Sequence, residues 1–178
     1  MFYKTMHPSP IGTLTLASDG EVLVGLWMEG QKYHGDTIYN DMIIKDDLLV
    51  FDDTKKWLDK YFAGVRPNQS DIRVAPIGSE FRRKIWGYLC EIPYGTLPTY
   101  GEIAKKIAPG AGNAQTYSRA VGGAVGHNPI SIIIPCHRVV GSDGCLTGFS
   151  AGLHVKIKLL ELEGVDMSGL STPKSYNR

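Results

Sequence analysis

The segment Ile130-Ser131-Ile132-Ile133-Ile134-Pro135-Cys136-His137-Arg138-Val139-Val140 constrains this chain more than any other. A run of β-branched apolar side chains predicts a buried strand. Pro135 removes a backbone donor and fixes φ, so the ladder should stop there. Cys136 and His137 are then expected on the turn that leaves the strand. A thiol beside an imidazole at the lip of a core strand suits nucleophilic chemistry. For the pair alone, a buried structural cysteine next to a surface histidine is the plainer reading, and the rest of the chain has to decide between the two.

Composition narrows the classes. With 178 residues, 43% hydrophobic and 21% charged, the chain can bury a real core as one medium domain or two small ones. No stretch is long and apolar enough to span a membrane. Met1–Thr5 has no signal-peptide core, which predicts a cytoplasmic protein, or a nuclear one if the source has a nucleus. Cys90, Cys136 and Cys145 form no even framework and are expected as free thiols. Their spacing with His137 fits no zinc site. The net charge of +1 conceals an asymmetry: residues 1–76 carry 8 basic and 11 acidic side chains, residues 77–178 carry 11 and 7. A polyanion would bind the second part, though the excess permits this without demanding it.

Residues 1–76 read as a small α/β unit. Phe2–Met6, Gly12–Ser18 and Val22–Met28 have strand patterns, with Asp19-Gly20 as a hairpin turn. Gln31–Lys45 is polar and carries no clear period. Asp46–Phe62 should be mostly an amphipathic helix stopped by Gly64, and Ile72–Val74 a further short strand. No clustered histidines or paired acids suggest chemistry here, and a scaffold role is expected.

Ala75–Glu80 reads as a linker. Ser79 should cap a helix whose core face is Phe81, Ile85, Trp86 and Leu89, ended by Ile92–Gly95. Thr99 with Glu102 fits a capping box for a helix through Ala108. Pro109–Thr116 reads as a loop, with Ser118 capping a second helix, Arg119–Val125, ended by Gly126, Asn128 and Pro129. Helix, turn and helix suggest a helix-turn-helix. Ala120, Gly122, Gly123 and Ala124 would let that helix lie close against another surface, inside the protein or on DNA. Arg119, in the first turn on this reading, is poorly placed for the helix dipole and should reach outward, to solvent or to DNA. Gly148-Phe149-Ser150-Ala151-Gly152 is a small-residue loop of the kind that admits a ligand. His154–Leu162 should be the last helix, and residues after Met167 a frayed tail.

Taken together, these residues resemble the methylated-DNA–protein-cysteine methyltransferases, which repair O(6)-alkylguanine. Ile134–Val140 matches the family's active-site motif. Arg119–Ala124, Asn128-Pro129 and Leu162–Gly164 follow in the family's order. The resemblance implies an α/β N-terminal ribonuclease-H-like domain over residues 1–76. It implies a mainly helical C-terminal domain over residues 77–178, with a winged-helix-like helix-turn-helix. It makes Cys136 the alkyl acceptor, activated through a relay of water, His137 and Glu163. Asn128 matches the hinge asparagine and Tyr100 the tyrosine that protonates the departing guanine. Arg119 matches the arginine that fills the space of the flipped base. Ala120, Gly122 and Gly123 would press into the minor groove, with Tyr100 and Arg138 also on the DNA. Val139, Phe149, Ser150 and Lys156 would line the substrate pocket, while an exposed helix lysine remains the ordinary reading of Lys156. The partner implied is duplex DNA carrying O(6)-alkylguanine, bound by a monomer, with no cofactor, metal or membrane. The chain departs from the family in a longer Pro109–Tyr117 loop, in Phe149 where tyrosine is common, and in Ala151 where glycine is frequent.

Two other classes stand beside this one. A damage sensor would use the same DNA-binding parts without alkyl transfer, but relatives of that kind lack the acceptor cysteine. A cysteine hydrolase would use Cys136 and His137, against which their adjacency argues, because neighbouring side chains on extended backbone point apart.

Overall fold

In a computed structural model of the chain, residues 1–38, 41–110 and 114–173 are described. They form two compact units. The first is Met1–Gly78 with Pro129–Ile133, and the second is Ser79–Asn128 with Ile134–Arg178. The first is an α/β unit and the second is mainly helical. Among the described residues no helix is long and apolar enough to cross a membrane.

The first unit is built on a four-stranded sheet in the order β3-β2-β1-β4. β1 (Phe2–Ser9), β2 (Gly12–Ser18) and β3 (Leu23–Met28) form an antiparallel meander, and β4 (Met42–Ile44) runs parallel to β1. Asp19 fixes the β2–β3 turn by accepting from the backbone N–H groups of Glu21 and Val22, each at 3.0 Å. β4 arises from the polar stretch that carried no clear period. α1 (Leu49–Phe62) buries Phe51, Trp57, Leu58 and Tyr61. The expected strand at Ile72–Val74 is reduced to one parallel bridge between Val74 and Leu23.

The strand expected from Ile130 up to Pro135 is not there. Only Ile130 pairs, in one parallel bridge with Leu26, and the chain then turns twice. The Ile133 N–H donates to the Ser131 carbonyl at 2.8 Å across Ile132, which sits at φ 71°. A β-branched residue at positive φ is a strained outlier held by its surroundings. The Cys136 N–H donates to the Ile134 carbonyl at 2.8 Å across Pro135, and Cys136–Arg138 is one 3-10 turn. The side chains are as buried as a strand would make them. Burial drove the β-branched composition, and tight turns met it as well as a ladder would.

In the second unit α2 (Glu80–Cys90) starts at the Ser79 cap and buries Ile85, Trp86 and Leu89. α3 (Tyr100–Ile107) opens with the full Thr99–Glu102 capping box. α4 (Ala114–Gly126) begins four residues before the expected Ser118 cap. The Tyr117 ring meets Phe81 of α2 edge-on at 6.0 Å, a tertiary contact that draws this stretch into the helix. The expected Pro109–Tyr117 loop therefore shortens, and its residues 111–113 lie outside those described. Arg119 falls in the middle of α4 instead of its first turn. The Trp86 indole N–H donates to the Ala124 carbonyl at 2.8 Å and ties α4 to α2. α5 (Leu153–Leu162) ends at Gly164. The tail expected after Met167 is structured: Met167–Gly169 is a 3-10 turn, and Ser171 bridges to Cys145.

Candidate active site

The 3-10 turn after Pro135 places Cys136, His137 and Arg138 in the interior of the second unit. Asn128, at the end of α4, reaches this turn with one amide nitrogen. Its Nδ2 donates to the Ile134 carbonyl at 2.8 Å and to Cys136 Sγ at 3.1 Å. Burial pushes the Cys136 thiol pKa up, against the Asn128 hydrogen bond and the charge of Lys156. The resting group is a thiol, so reaction requires a base.

Glu163, one residue past α5, anchors the His137 ring. His137 Nε2 lies 2.7 Å from Glu163 Oε1, with both side chains fully buried. Burial opposes the charge on Glu163, but the hydrogen bonds and charges of His137 and Arg138 outweigh it. They hold the carboxyl well below the usual carboxylate range. An ionised Glu163 can only accept, so Nε2 carries the ring proton and Nδ1 is the basic nitrogen. Burial also lowers the His137 pKa, and the ring rests neutral.

Arg138 belongs to this cluster and not to an exterior surface. Its Nε donates to Glu163 Oε2 at 2.8 Å, its Nη2 to Oε1 at 3.0 Å, and its Nη1 to the Ile92 carbonyl. The guanidinium also covers the Tyr94 ring at 5.5 Å. The expectation that Arg138 contacts DNA is corrected: a 3-10 turn directs it inward, and its donors are committed to a buried carboxylate.

Sequence reasoning missed the turn after α2. The Gly95 N–H donates to Glu163 Oε2 at 3.0 Å, and the Tyr94 hydroxyl to the Leu162 carbonyl at 3.1 Å. Gly95 sits at φ 74°, where a Cβ would lie 3.2 Å from the Glu163 carbonyl oxygen. Pro93-Tyr94-Gly95 was the available signal, read only as a helix stop.

Lys156 is fully buried, which removes the exposed-lysine alternative. Its Nζ donates to the Val139 carbonyl at 2.6 Å and the Thr147 carbonyl at 3.0 Å. Desolvation lowers its pKa to about 8. The Tyr100 hydroxyl, at the start of α3, donates to the same Thr147 carbonyl at 3.5 Å, and burial raises its pKa. Val139 is buried, while Phe149 and Ser150 are half-buried on the loop after Thr147. On α4, Arg119, Ala120 and Gly123 are exposed, and Gly122 faces the Tyr100 ring.

Fold and site together define a protein with a buried cysteine nucleophile, served by a histidine and a carboxylate in a helical unit that follows an α/β unit. The chain belongs to the 6-O-methylguanine DNA methyltransferase family. The family's ribonuclease-like domain matches residues 1–76 and its DNA-binding domain residues 80–165. It is similar to a methylated-DNA–protein-cysteine methyltransferase of Haemophilus influenzae, 44% identical over 163 residues that cover 92% of this chain and 87% of the relative. The crystal structure of Mycobacterium tuberculosis O6-methylguanine methyltransferase superposes with a TM-score of 0.77 at 43% identity, covering 92% of this chain and 93% of that one. The Mycobacterium tuberculosis protein OGT in complex with DNA gives 0.76 at 42% identity, over 91% of each chain.

Proposed function

We propose that this protein repairs DNA by taking the alkyl group of O(6)-alkylguanine irreversibly onto its own Cys136. The observation that carries the reading is the meeting of Cys136 and His137, on one buried turn, with Glu163 from the end of α5 and with the donor of Asn128 on the sulfur. The thiol proton passes through a water relay to His137 Nδ1, and ionised Glu163 stabilises the imidazolium. Asn128 and the Lys156 charge favour the thiolate against burial. Sulfur attacks the alkyl carbon, an S–C bond forms, and the carbon–O(6) bond breaks. The departing guanine takes a proton from the Tyr100 hydroxyl. The thioether product is stable to water, so each chain acts once.

The target base lies inside the duplex and must be flipped out. α3 and α4 act as a winged-helix-like helix-turn-helix. α4 lays its small-residue face, Ala120, Gly122 and Gly123, into the minor groove, while Arg119 fills the vacated stack. The exposure of Arg119, Ala120 and Gly123 supports this docking. Val139, Phe149, Ser150 and the Lys156-held Thr147 carbonyl form the pocket. Residues 1–76 serve as scaffold and residues 77–178 as the DNA-binding acceptor domain of a monomer, with a cytoplasmic location.

The test is intact mass after incubation with duplex DNA carrying one O(6)-methylguanine. The expected result is a gain of one methylene on Cys136, saturating at one per chain and absent from Cys136→Ala. Methyl removal by Cys136→Ala would overturn the proposal. Tight lesion binding without mass gain would mark a damage sensor instead.

A further inference from the structure

The stretch after α5 is a strap and not a tail. Gly164, at φ 73°, closes the helix, and the Val165 N–H returns to the Leu160 carbonyl at 3.1 Å. Asp166 caps the following 3-10 turn by accepting from the Ser168 N–H at 2.9 Å. The chain then lies along the turn that precedes Thr147. The Leu146 N–H donates to the Ser171 carbonyl at 2.8 Å, and the Ser171 N–H to the Gly144 carbonyl at 3.2 Å. Contact is backbone on backbone: a Cβ at Gly144 would sit 2.9 Å from the Gly169 carbonyl oxygen. Val165, Met167 and Leu170 pack on the buried cluster of Val140, Leu146 and Leu160.

Leu146 adjoins Thr147, whose carbonyl holds both the Lys156 ammonium and the Tyr100 hydroxyl. We propose that the strap Val165–Ser171, anchored by Leu170, is a positioning element for the alkylguanine pocket. By fixing Leu146 it sets the Thr147 carbonyl, and through it the Tyr100 hydroxyl and the start of the Phe149–Ser150 loop. The proposal rests on the pocket reading given above.

The physical need is clear. The loop is interrupted by Gly141, Gly144, Gly148 and Gly152, three of them at positive φ, so its own backbone restrains it little. A pocket that aligns a reacting carbon has to be held by packing from behind. The strap's backbone hydrogen bonds hold Gly144 and Leu146, on the Thr147 side of the loop, and its side chains pack on Val140, Leu146 and Leu160. The bonds that assemble Cys136, Asn128, His137 and Glu163 run through other elements.

That separation supplies the test. Iodoacetamide needs only the thiol and its base, whereas free O(6)-benzylguanine also needs the pocket. In Leu170→Asp, benzylguanine transfer to Cys136 should slow about tenfold or more, while iodoacetamide labelling of Cys136 stays close to wild type. Leu170→Met should restore the benzylguanine rate. If Leu170→Asp fails to fold, Leu170→Ala is measured instead, and the ratio of the two rates decides in the same way. Equal slowing with both reagents, or no slowing with either, overturns the strap's role. A wild-type protein that takes no benzyl group on Cys136 would instead overturn the pocket reading itself.

Discussion

Arg138 grips Glu163 with two donors, Nε on Oε2 at 2.8 Å and Nη2 on Oε1 at 3.0 Å. The carboxylate that faces His137 is thereby kept ionised. It is also kept in place, because Gly95 and His137 take up what remains of its acceptor capacity.

Arg138→Ala would leave the Glu163 charge buried with less compensation. Removing one partner of a buried pair costs about 3–5 kcal/mol, which denaturant unfolding should read. The salt dependence of DNA affinity should keep its slope, because no phosphate contact is lost. A shallower slope would place Arg138 on the DNA after all.

Acid should weaken the protein in two stages. Burial lowers the His137 pKa below its ordinary 6.5, so an unfolded chain binds a proton there that the folded ring refuses. Stability is full above 6.5 and is lost as pH falls from there through the lowered folded value. Glu163, opposed by burial but held down by His137 and Arg138, adds a second loss below its ordinary 4.5. Denaturation midpoints measured across this range should fall in that order, and His137→Gln should lack the first stage. The acid limb of benzylguanine transfer should likewise lie below pH 6.5, because the neutral ring is the base.

Asn128→Ala removes the donor shared by Cys136 Sγ and the Ile134 carbonyl. The Ile134 carbonyl keeps the Cys136 N–H, so the lost hydrogen bond costs about 0.5–1.5 kcal/mol of stability. The thiol loses a group that favours its thiolate, so the pH profile of iodoacetamide labelling at Cys136 should move to higher pH. An unmoved profile would confine Asn128 to a structural role.

Gly123 is exposed on α4, and an added Cβ there meets nothing within 4 Å. Gly123→Ala should raise stability by about 0.5–1 kcal/mol through helix propensity. If that face lies in the minor groove, the same variant binds duplex DNA less tightly. Arg119→Ala should slow repair in duplex DNA far more than reaction with free benzylguanine. Unchanged DNA affinity in Gly123→Ala, or equal slowing in Arg119→Ala, would move the interface elsewhere.

Lys156→Met keeps a long stem but strips the donor from the Val139 and Thr147 carbonyls. The buried Val139 carbonyl left without this donor costs about 1–3 kcal/mol, so the melting temperature should fall. Benzylguanine transfer should slow as well, because the Thr147 carbonyl also holds Tyr100.

Much of this was legible in the chain. Local signals act over a few residues and survive any tertiary context: the Asp19-Gly20 turn, the Ser79 cap and the Thr99–Glu102 box stand where the sequence placed them. The apolar character of Ile130–Val140 foretold its burial, and the motif around Cys136 marked the chemistry. Tertiary structure decided the rest. Burial alone does not choose between a strand and two tight turns, and the turns at Ile132 and Pro135 carry Cys136, His137 and Arg138 into the core together. The direction of Arg138, the depth of Lys156 and the earlier start of α4 at its Phe81–Tyr117 contact depend on partners 17 or more residues away. So does the strap laid on Gly144. A residue's own neighbours in sequence fix its backbone preferences, but which buried charge or carbonyl it meets is set only when the chain closes on itself.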